Sequence, residues 1–190
     1  SIPGGKSNID LLIKGFATAM KGDTTLLTND LAQSYFRDYL TKVQNKLNEQ
    51  VKADGEKFMA ENLKKEGIQV TPSGLQYIVL KSADGAKPLA TDKVKVHYTG
   101  TLMDGKVFDS SVERGEPVEF ALNQVIPGWS EGVQLMPVGS KFKFFIPSNL
   151  GYGEQGVPQA GIPPFSPLTF EVELLDIIKE QPAPVVEEVK

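Results

Sequence analysis

Apolar residues in the first part of the chain recur at helical spacing. The first segment carries them three or four residues apart, on one stripe: Ile9, Leu12, Ile13, Phe16, Ala17 and Met20. Ser7, followed by Asp10 three residues later, is typical of a helix start, and Gly22 is typical of a helix end. The pattern predicts a first helix between Ser7 and Gly22.

A second stripe begins near Thr28 and predicts a much longer helix. Its first half carries large apolar residues: Leu31, Tyr35, Phe36, Tyr39, Leu40, Val43, Leu47 and Val51. Polar residues then dominate, and a thinner seam of Phe58, Met59 and Leu63 continues to Gly67. Asp54-Gly55 either bends this helix or is tolerated within it, at about 1 kcal/mol for the glycine.

The short first helix cannot cover the apolar half of the long one. We therefore expect residues 7–51 to pack against a second copy of the chain and form a homodimer, with the charged second half as a solvated stalk. The alternative is a compact helical domain that folds back on its own chain. Length and the thinning stripe favour the dimer.

Beyond residues 71–74, the period of the apolar residues changes from helical to two. In three segments, apolar positions of one face alternate with positions of the other face, which are polar except for Phe145. The apolar positions are Val94, Val96 and Tyr98; Phe142, Phe144 and Ile146; Leu168, Phe170, Val172 and Leu174. Such alternation predicts antiparallel strands with one buried face. Asp104-Gly105, within Met103–Lys106, carries a hairpin signal.

One short helix is predicted within the strand-rich part, in VIPGWSEGVQLMPVG (residues 125–139). Pro127 suits a first helical turn, Trp129 shares a face with Val133 and Met136, and Pro137 discourages continuation. The fold class predicted is α+β, a helical arm followed by a twisted antiparallel sheet wrapped around one short helix. The predicted divisions are an arm and stalk at 1–68, a sheet domain at 69–178 and a flexible tail at 179–190.

Composition removes several classes of function. The net charge of −4 argues against a broad nucleic-acid-binding surface. The absence of cysteine excludes disulfides and thiolate metal sites, and a single histidine gives little support to a Ser-His triad or a His-rich metal site. No apolar run approaches the ~20 residues of a membrane helix. The N-terminal SIPGGKSN is not a signal peptide, although a trimmed chain would have lost one.

Several separated motifs occur in a family-specific order. KVHYTGTLMDGKVFDSS, VIPGWSEGVQLMPVGSK, IPSNLGYGEQG and IPPFSPLTFEVELLDI resemble the FKBP-type peptidyl-prolyl cis-trans isomerases, over residues 70–178. The helical part, with TPSGLQY at the junction, is similar to the macrophage-infectivity-potentiator subgroup of bacterial envelope proteins. The resemblance implies the FKBP fold and isomerase activity.

The family's pocket residues can be placed on this chain. The resemblance implies that Tyr98 and Phe108 are walls, that Asp109 is the single carboxylate, that Trp129 is the floor and that Tyr152 supplies a hydroxyl. Asp109 could instead be an ordinary turn or cap residue. His97 alternates to the face opposite Tyr98, which favours a structural role over that of a base.

The rim of the implied pocket includes further residues. Val125 and Ile126 would line the edge, with the Ile126 amide as a donor, while Ile162 and Phe170 would close the far side. Val118 stands where many relatives have an aromatic residue, so that wall would be thinner. Residues 153–167, which lack the histidine of eukaryotic relatives, are interpreted as a flap over the pocket, here called the flap loop.

The implied reaction needs neither a nucleophile nor a cofactor, because rotation about an X–Pro bond breaks no covalent bond. The expected partners are unfolded or partly folded prolyl polypeptides, and the family also binds macrolide inhibitors such as tacrolimus and rapamycin. The bacterial envelope, in particular the periplasm, is the expected location, with the cytoplasm as the alternative. The rival function is a holdase or prolyl-binding module without turnover.

Overall fold

The chain forms two compact units, residues Ser1–Leu47 and Asn48–Lys190. The structure, a computed structural model, describes residues 13–15, 17–18, 21 and 29–179. Residues 13–15 and 17–18 are helical, in agreement with the first predicted helix. The rest of that helix, including Ile9, Leu12, Phe16 and Met20, and residues 180–190 of the predicted tail lie outside the described residues.

The long helix, α1 (Asn29–Asn62), is continuous through Asp54 and Gly55. Within the first unit its large apolar side chains lie exposed along one stripe. The residues of this apolar stripe are Tyr35, Phe36, Tyr39, Leu40, Val43 and Leu47. Between 38% and 55% of each of these residues is exposed.

The second half of α1 packs against the sheet domain. Phe58 lies 6.3 Å from the ring of Phe145, centroid to centroid. The Asn62 side-chain amide donates a hydrogen bond of 2.9 Å to Gln76, whose own amide donates one of 2.9 Å to the Met59 carbonyl. This half is therefore not the solvated stalk that its charged residues predicted. The thin seam of Phe58 and Met59 is enough to hold it there, because Phe58 contacts Phe145 of β6 and the Met59 carbonyl accepts from Gln76 of β2.

A seven-stranded antiparallel sheet forms the second unit. Its strands are β1 (Gln69–Val70), β2 (Gln76–Lys81), β3 (Lys93–Thr101), β4 (Val107–Ser110), β5 (Val118–Ala121), β6 (Lys141–Ile146) and β7 (Leu168–Ile178). The order is β1-β2-β6-β7-β3-β4, and β5 pairs with β3 beside β4. The predicted alternation is confirmed, since Val94, Val96 and Tyr98 are buried. The predicted hairpin connects β3 to β4, with Gly105 at φ 84°.

The short helix α3 (Pro127–Val133) lies directly on β6; a single turn, α2 (Ser111–Arg114), follows β4. Gly128 and Gly132 make the close approach of α3 possible. A Cβ added to Gly128 would lie 2.5 Å from Cγ2 of Ile146, and one added to Gly132 would lie 2.7 Å from Cε1 of Phe144. Trp129 is thereby held among the aromatic residues of the sheet, 4% exposed. The predicted α+β fold, with a helical arm and a sheet around one short helix, is confirmed.

Candidate active site

A cavity of about 310 Å³ opens on the side of the sheet that carries α3. Most of the residues expected in a pocket line it. They are Tyr98, Phe108, Asp109, Val125, Ile126, Trp129, Tyr152 and Phe170. Phe120 and Gln124 also line it, whereas Val118 and Ile162 do not.

Trp129 is the centre of the aromatic lining. Its ring meets Tyr98, Phe120 and Phe170 edge-on, at centroid distances of 5.3, 5.4 and 5.3 Å. Such T-shaped contacts place the positive edge of one ring against the negative face of another. The packing fixes the indole in one orientation at the bottom of the cavity.

Strand register explains how Phe108 and Phe170 reach the same cavity. Gly100 on β3 pairs with Asp109 on β4 and with Phe170 on β7. A Cβ on Gly100 would lie 2.6 Å from Cζ of Phe108 and 2.7 Å from Cε1 of Phe170. The absent side chain thus leaves room for the two rings, which meet at 5.5 Å and 88°.

Asp109 is held in a polar network at the cavity wall. Its carboxylate accepts hydrogen bonds from the Tyr98 hydroxyl and from the guanidinium of Arg114, which also donates to the Tyr98 oxygen at 3.1 Å. Burial raises the pKa of Asp109, but the hydrogen bonds from Tyr98 and Arg114 and the arginine charge outweigh it, so this pKa lies below its ordinary value. Burial and the hydrogen bond to Asp109 raise the pKa of Tyr98.

Ser111 fixes the backbone of Tyr98 from behind. The Ser111 hydroxyl accepts a 2.8 Å hydrogen bond from the Tyr98 N–H and lies 3.1 Å from Nδ1 of His97. Ser111 begins α2, the turn that carries Arg114, and Ser110 caps this turn by accepting from the Glu113 N–H. One short segment therefore positions both the strand and the arginine.

At least two hydrogen-bond donors border the cavity without a partner among residues 29–179. The Tyr152 hydroxyl is one, and the pKa of this tyrosine is raised by burial and then by the charge of Asp109. The Ile126 N–H is another, whereas the Ile126 carbonyl accepts from the N–H groups of Trp129 and Ser130. Both donors are available to a carbonyl oxygen that enters the cavity.

The differences from the expected lining have local causes. Val118 is partly buried against the core, and Phe120, two residues further along β5, supplies a ring on the cavity side. Strand alternation from Val118 could have identified Phe120. Ile162 is 2% exposed and forms a bridge with Val157 inside the flap loop. Arg114 was missed because its partner Asp109 lies on another element, five residues earlier.

The described residues offer neither a metal centre nor a membrane span. No group of three or more histidine or acidic side chains within them could hold a metal ion. None of their helices combines the length and the apolar character needed to cross a bilayer.

Two family models match adjoining parts of the chain. Residues 85–175 match the model described as FKBP-type peptidyl-prolyl cis-trans isomerase. Residues 2–79 match the domain described as amino-terminal to FKBP-type peptidyl-prolyl isomerase. The second match extends through α1 into β2.

Individual proteins match across both parts. The FKBP-type peptidyl-prolyl cis-trans isomerase FkpA of Aeromonas hydrophila is 53% identical, over 94% of this chain and 67% of its own. The outer membrane protein MIP of Legionella longbeachae is 42% identical, over 90% of this chain and 76% of its own. The crystal structure of FkpA from Escherichia coli superposes with a TM-score of 0.72 at 39% identity, covering 88% of this chain and 81% of that one.

Proposed function

This chain belongs to the FKBP-type peptidyl-prolyl cis-trans isomerase family and is an isomerase of X–Pro bonds; from that premise we propose that the aromatic cavity is its active site. The supporting observation is the set of rings around Trp129, with the free donors of Tyr152 and Ile126 beside it. The proline ring of a substrate rests on Trp129. The carbonyl oxygen of the residue before the proline accepts a hydrogen bond from one of these donors as the amide twists.

Shape and polarity carry the catalysis. The barrier to X–Pro rotation is about 20 kcal/mol and comes from lost amide resonance. A planar amide is more dipolar than a twisted one, so an apolar cup stabilises the twisted state relative to the planar one. A reduction of about 5–6 kcal/mol would accelerate the reaction by roughly four decades.

Asp109 orients the side chains at the wall of the cavity. Its hydrogen bonds hold the Tyr98 hydroxyl and Arg114 at the wall, and its charge faces the reacting imide. No proton transfer is required of it. The carboxylate acts through the field and geometry that it imposes on its neighbours.

The proposed site can be tested through Trp129. Because this is the single tryptophan of the sequence, its fluorescence reports occupancy of the cavity by a prolyl peptide or by tacrolimus. Trp129→Leu keeps an apolar floor but loses ring area, and we expect about a tenfold loss of kcat/KM on a short prolyl peptide. Full activity in this variant, or a peptide that leaves the wild-type fluorescence unchanged, would contradict the site.

A refolding experiment separates the enzyme from a holdase. Catalytic amounts of an isomerase accelerate a proline-limited refolding phase, whereas a holdase acts only near stoichiometric amounts. We propose unfolded and partly folded prolyl chains as the substrates. Binding of macrolides such as tacrolimus and rapamycin is proposed on the same pocket.

The apolar stripe on α1 supports homodimerisation through residues 7–51. Six large apolar side chains in 35–47 are exposed on one side of the helix, and each would be expensive to leave in water. A second copy offers an identical stripe and is the occupant that we propose. Two linked cavities then bind one unfolded chain more tightly than either alone, which suits a folding chaperone.

We propose that the protein is located in the bacterial envelope, in the periplasm. The support is the similarity to a protein named outer membrane protein MIP. Cell fractionation of the native host, with the protein detected by antibody, tests this location.

A further inference from the structure

The flap loop, which begins just after Tyr152, ends against α1. A Cβ added to Gly55 would lie 2.9 Å from Cδ of Pro167 and 3.5 Å from the Phe165 carbonyl oxygen. The Lys52 ammonium lies 5.9 Å from the centroid of the Phe165 ring. The helix therefore touches the far end of the loop at two consecutive turns.

A hydrogen bond connects that far end to the beginning of the loop. The Phe165 N–H donates to the Gly153 carbonyl at 2.8 Å, directly beside Tyr152. Phe165 has φ 61°, the one positive value for a non-glycine residue within the described residues. A left-handed conformation costs about 1–2 kcal/mol and persists only where the surroundings fix it. Here the helix and the Gly153 carbonyl supply that constraint.

The intervening part of the loop is too stiff to absorb a shift. Val157 and Ile162 exchange backbone hydrogen bonds of 2.9 and 3.0 Å, and the Gly156 N–H donates to the Tyr152 carbonyl at 3.2 Å. A Cβ on Gly156 would lie 2.5 Å from the Ile162 carbonyl oxygen. A displacement of Phe165 is therefore transmitted to Tyr152 through the Gly153 bond.

We propose that Gly55 and Lys52 of α1 are positioning residues of the isomerase, which hold the flap loop so that the Tyr152 hydroxyl stays at the cavity. This rests on the proposed role of Tyr152 as a donor to the substrate. It also explains a glycine in the middle of a continuous helix. The cost of about 1 kcal/mol relative to alanine is accepted because a side chain at this position would displace Pro167.

The test is a double-mutant cycle in the full-length chain. Gly55→Val pushes Pro167 and Phe165 away, and we expect kcat/KM on a short prolyl peptide to fall about threefold to tenfold, the equivalent of one lost hydrogen bond. In a Tyr152→Phe background, where the hydroxyl is already absent, the same substitution should cost less than about twofold. Ala53→Val, at an exposed position of the same helix, is the matched control and should leave kcat/KM unchanged in both backgrounds.

Phe165→Gly provides a second route if Gly55→Val does not fold. The substitution removes the ring that lies beneath Lys52. Glycine adopts a φ of 61° more readily than any other residue, so we expect the fold to be retained. We expect the same dependence on Tyr152. An equal loss in both backgrounds, or no loss with a Tyr152→Phe enzyme that is impaired, overturns the positioning role. A fully active Tyr152→Phe enzyme instead overturns the donor role of Tyr152, and the positioning role with it.

Discussion

The cavity and the apolar stripe on α1 are both rich in aromatic residues, yet they differ in how these residues are held. Around the cavity, Tyr98, Trp129 and Phe170 are at most 5% exposed, and Trp129 contacts the other two rings edge-on. On the stripe, Tyr35 and Phe36 are more than half exposed and project from a single helix. The concave cavity therefore suits one small ring, whereas the apolar stripe on the convex surface of α1 suits a partner surface of similar length.

The largest expected effect is a difference in the free energy of unfolding between two truncated chains. Deletion of residues 1–47 removes the stripe and leaves the second unit whole, so we expect a monomer with full activity on a short prolyl peptide. Deletion of residues 1–68 also removes Phe58 from Phe145 and Asn62 from Gln76. The lost burial should destabilise the remainder by about 2–3 kcal/mol, which corresponds to a thermal midpoint lower by roughly 10 °C.

Calorimetry of the two truncated chains measures this difference. The full-length chain, scanned at several concentrations, separates the contribution of self-association. Equal midpoints for the two truncations would show that residues 48–68 add nothing to the second unit.

The next effect concerns the stripe alone. Leu40→Glu together with Val43→Glu places two charges on it, and we expect self-association to weaken at least about a hundredfold, since each buried aliphatic side chain contributes about 1.5–3 kcal/mol. Peptide isomerisation should be unchanged, whereas catalysis of a whole refolding protein should fall. Sedimentation velocity gives the oligomeric state. Asn45→Glu, on the opposite side of the helix, is the control and should remain associated like the wild type.

Much of this organisation could be predicted from sequence, for a physical reason. Period-two alternation reports a buried sheet face, so Val94, Val96 and Tyr98 were placed correctly. Phe145 should have faced water by the same rule, but it is only 8% exposed because α1 covers it. That cover comes from a helix almost ninety residues earlier in the chain. A local pattern carries no information about such a contact.

Local sequence patterns were likewise insufficient to predict every residue of the candidate site. Asp109, Trp129 and Tyr152 were located by motif, and they line one cavity. Arg114 and Phe120 were not, since their part in the site depends on how β3, β4, β5 and α2 meet. The long helix was predicted, but its second half was assigned to solvent from composition alone, whereas Phe58 of that half contacts Phe145. Gly55 was recognised as unusual, but its reason, the approach of Pro167, is visible only in three dimensions.

A smaller effect on kcat/KM distinguishes the charge of Asp109 from the hydroxyl of Tyr152. Asp109→Leu removes the acceptor of both Tyr98 and Arg114, and we expect kcat/KM to fall at least about tenfold, because hydrogen bonds to charged groups contribute about 1.5–3 kcal/mol. Tyr152→Phe keeps the ring and loses one neutral donor, so its loss should be smaller. Both variants should remain folded by circular dichroism. A larger loss for Tyr152→Phe than for Asp109→Leu would reverse the assignment of the two roles.

The smallest expected effect is that of pH, and it tests whether the cup works without a titrating base. The pKa of Asp109 is held below its ordinary value, so the carboxylate is ionised throughout pH 6–8. The pKa values of Tyr98 and Tyr152 are raised above their ordinary value near 10, so both hydroxyls stay protonated over the same range. We therefore expect kcat/KM on a prolyl peptide without titratable groups to vary less than about twofold between pH 6 and 8.

At acid pH the lowered pKa of Asp109 fixes the sign of the change. A carboxyl whose pKa is lower in the folded protein contributes stability above its unfolded pKa near 4, and this stability is lost as pH falls through the folded value. Stability should therefore begin to decline below about pH 4, and activity should decline only when the pH approaches the lower pKa that Asp109 has in the folded protein. In Asp109→Leu the acid decline in stability should be shallower than in the wild type. A bell-shaped rate profile centred near pH 7 would instead require a proton-transferring group, and would remove the basis for catalysis by an apolar cup.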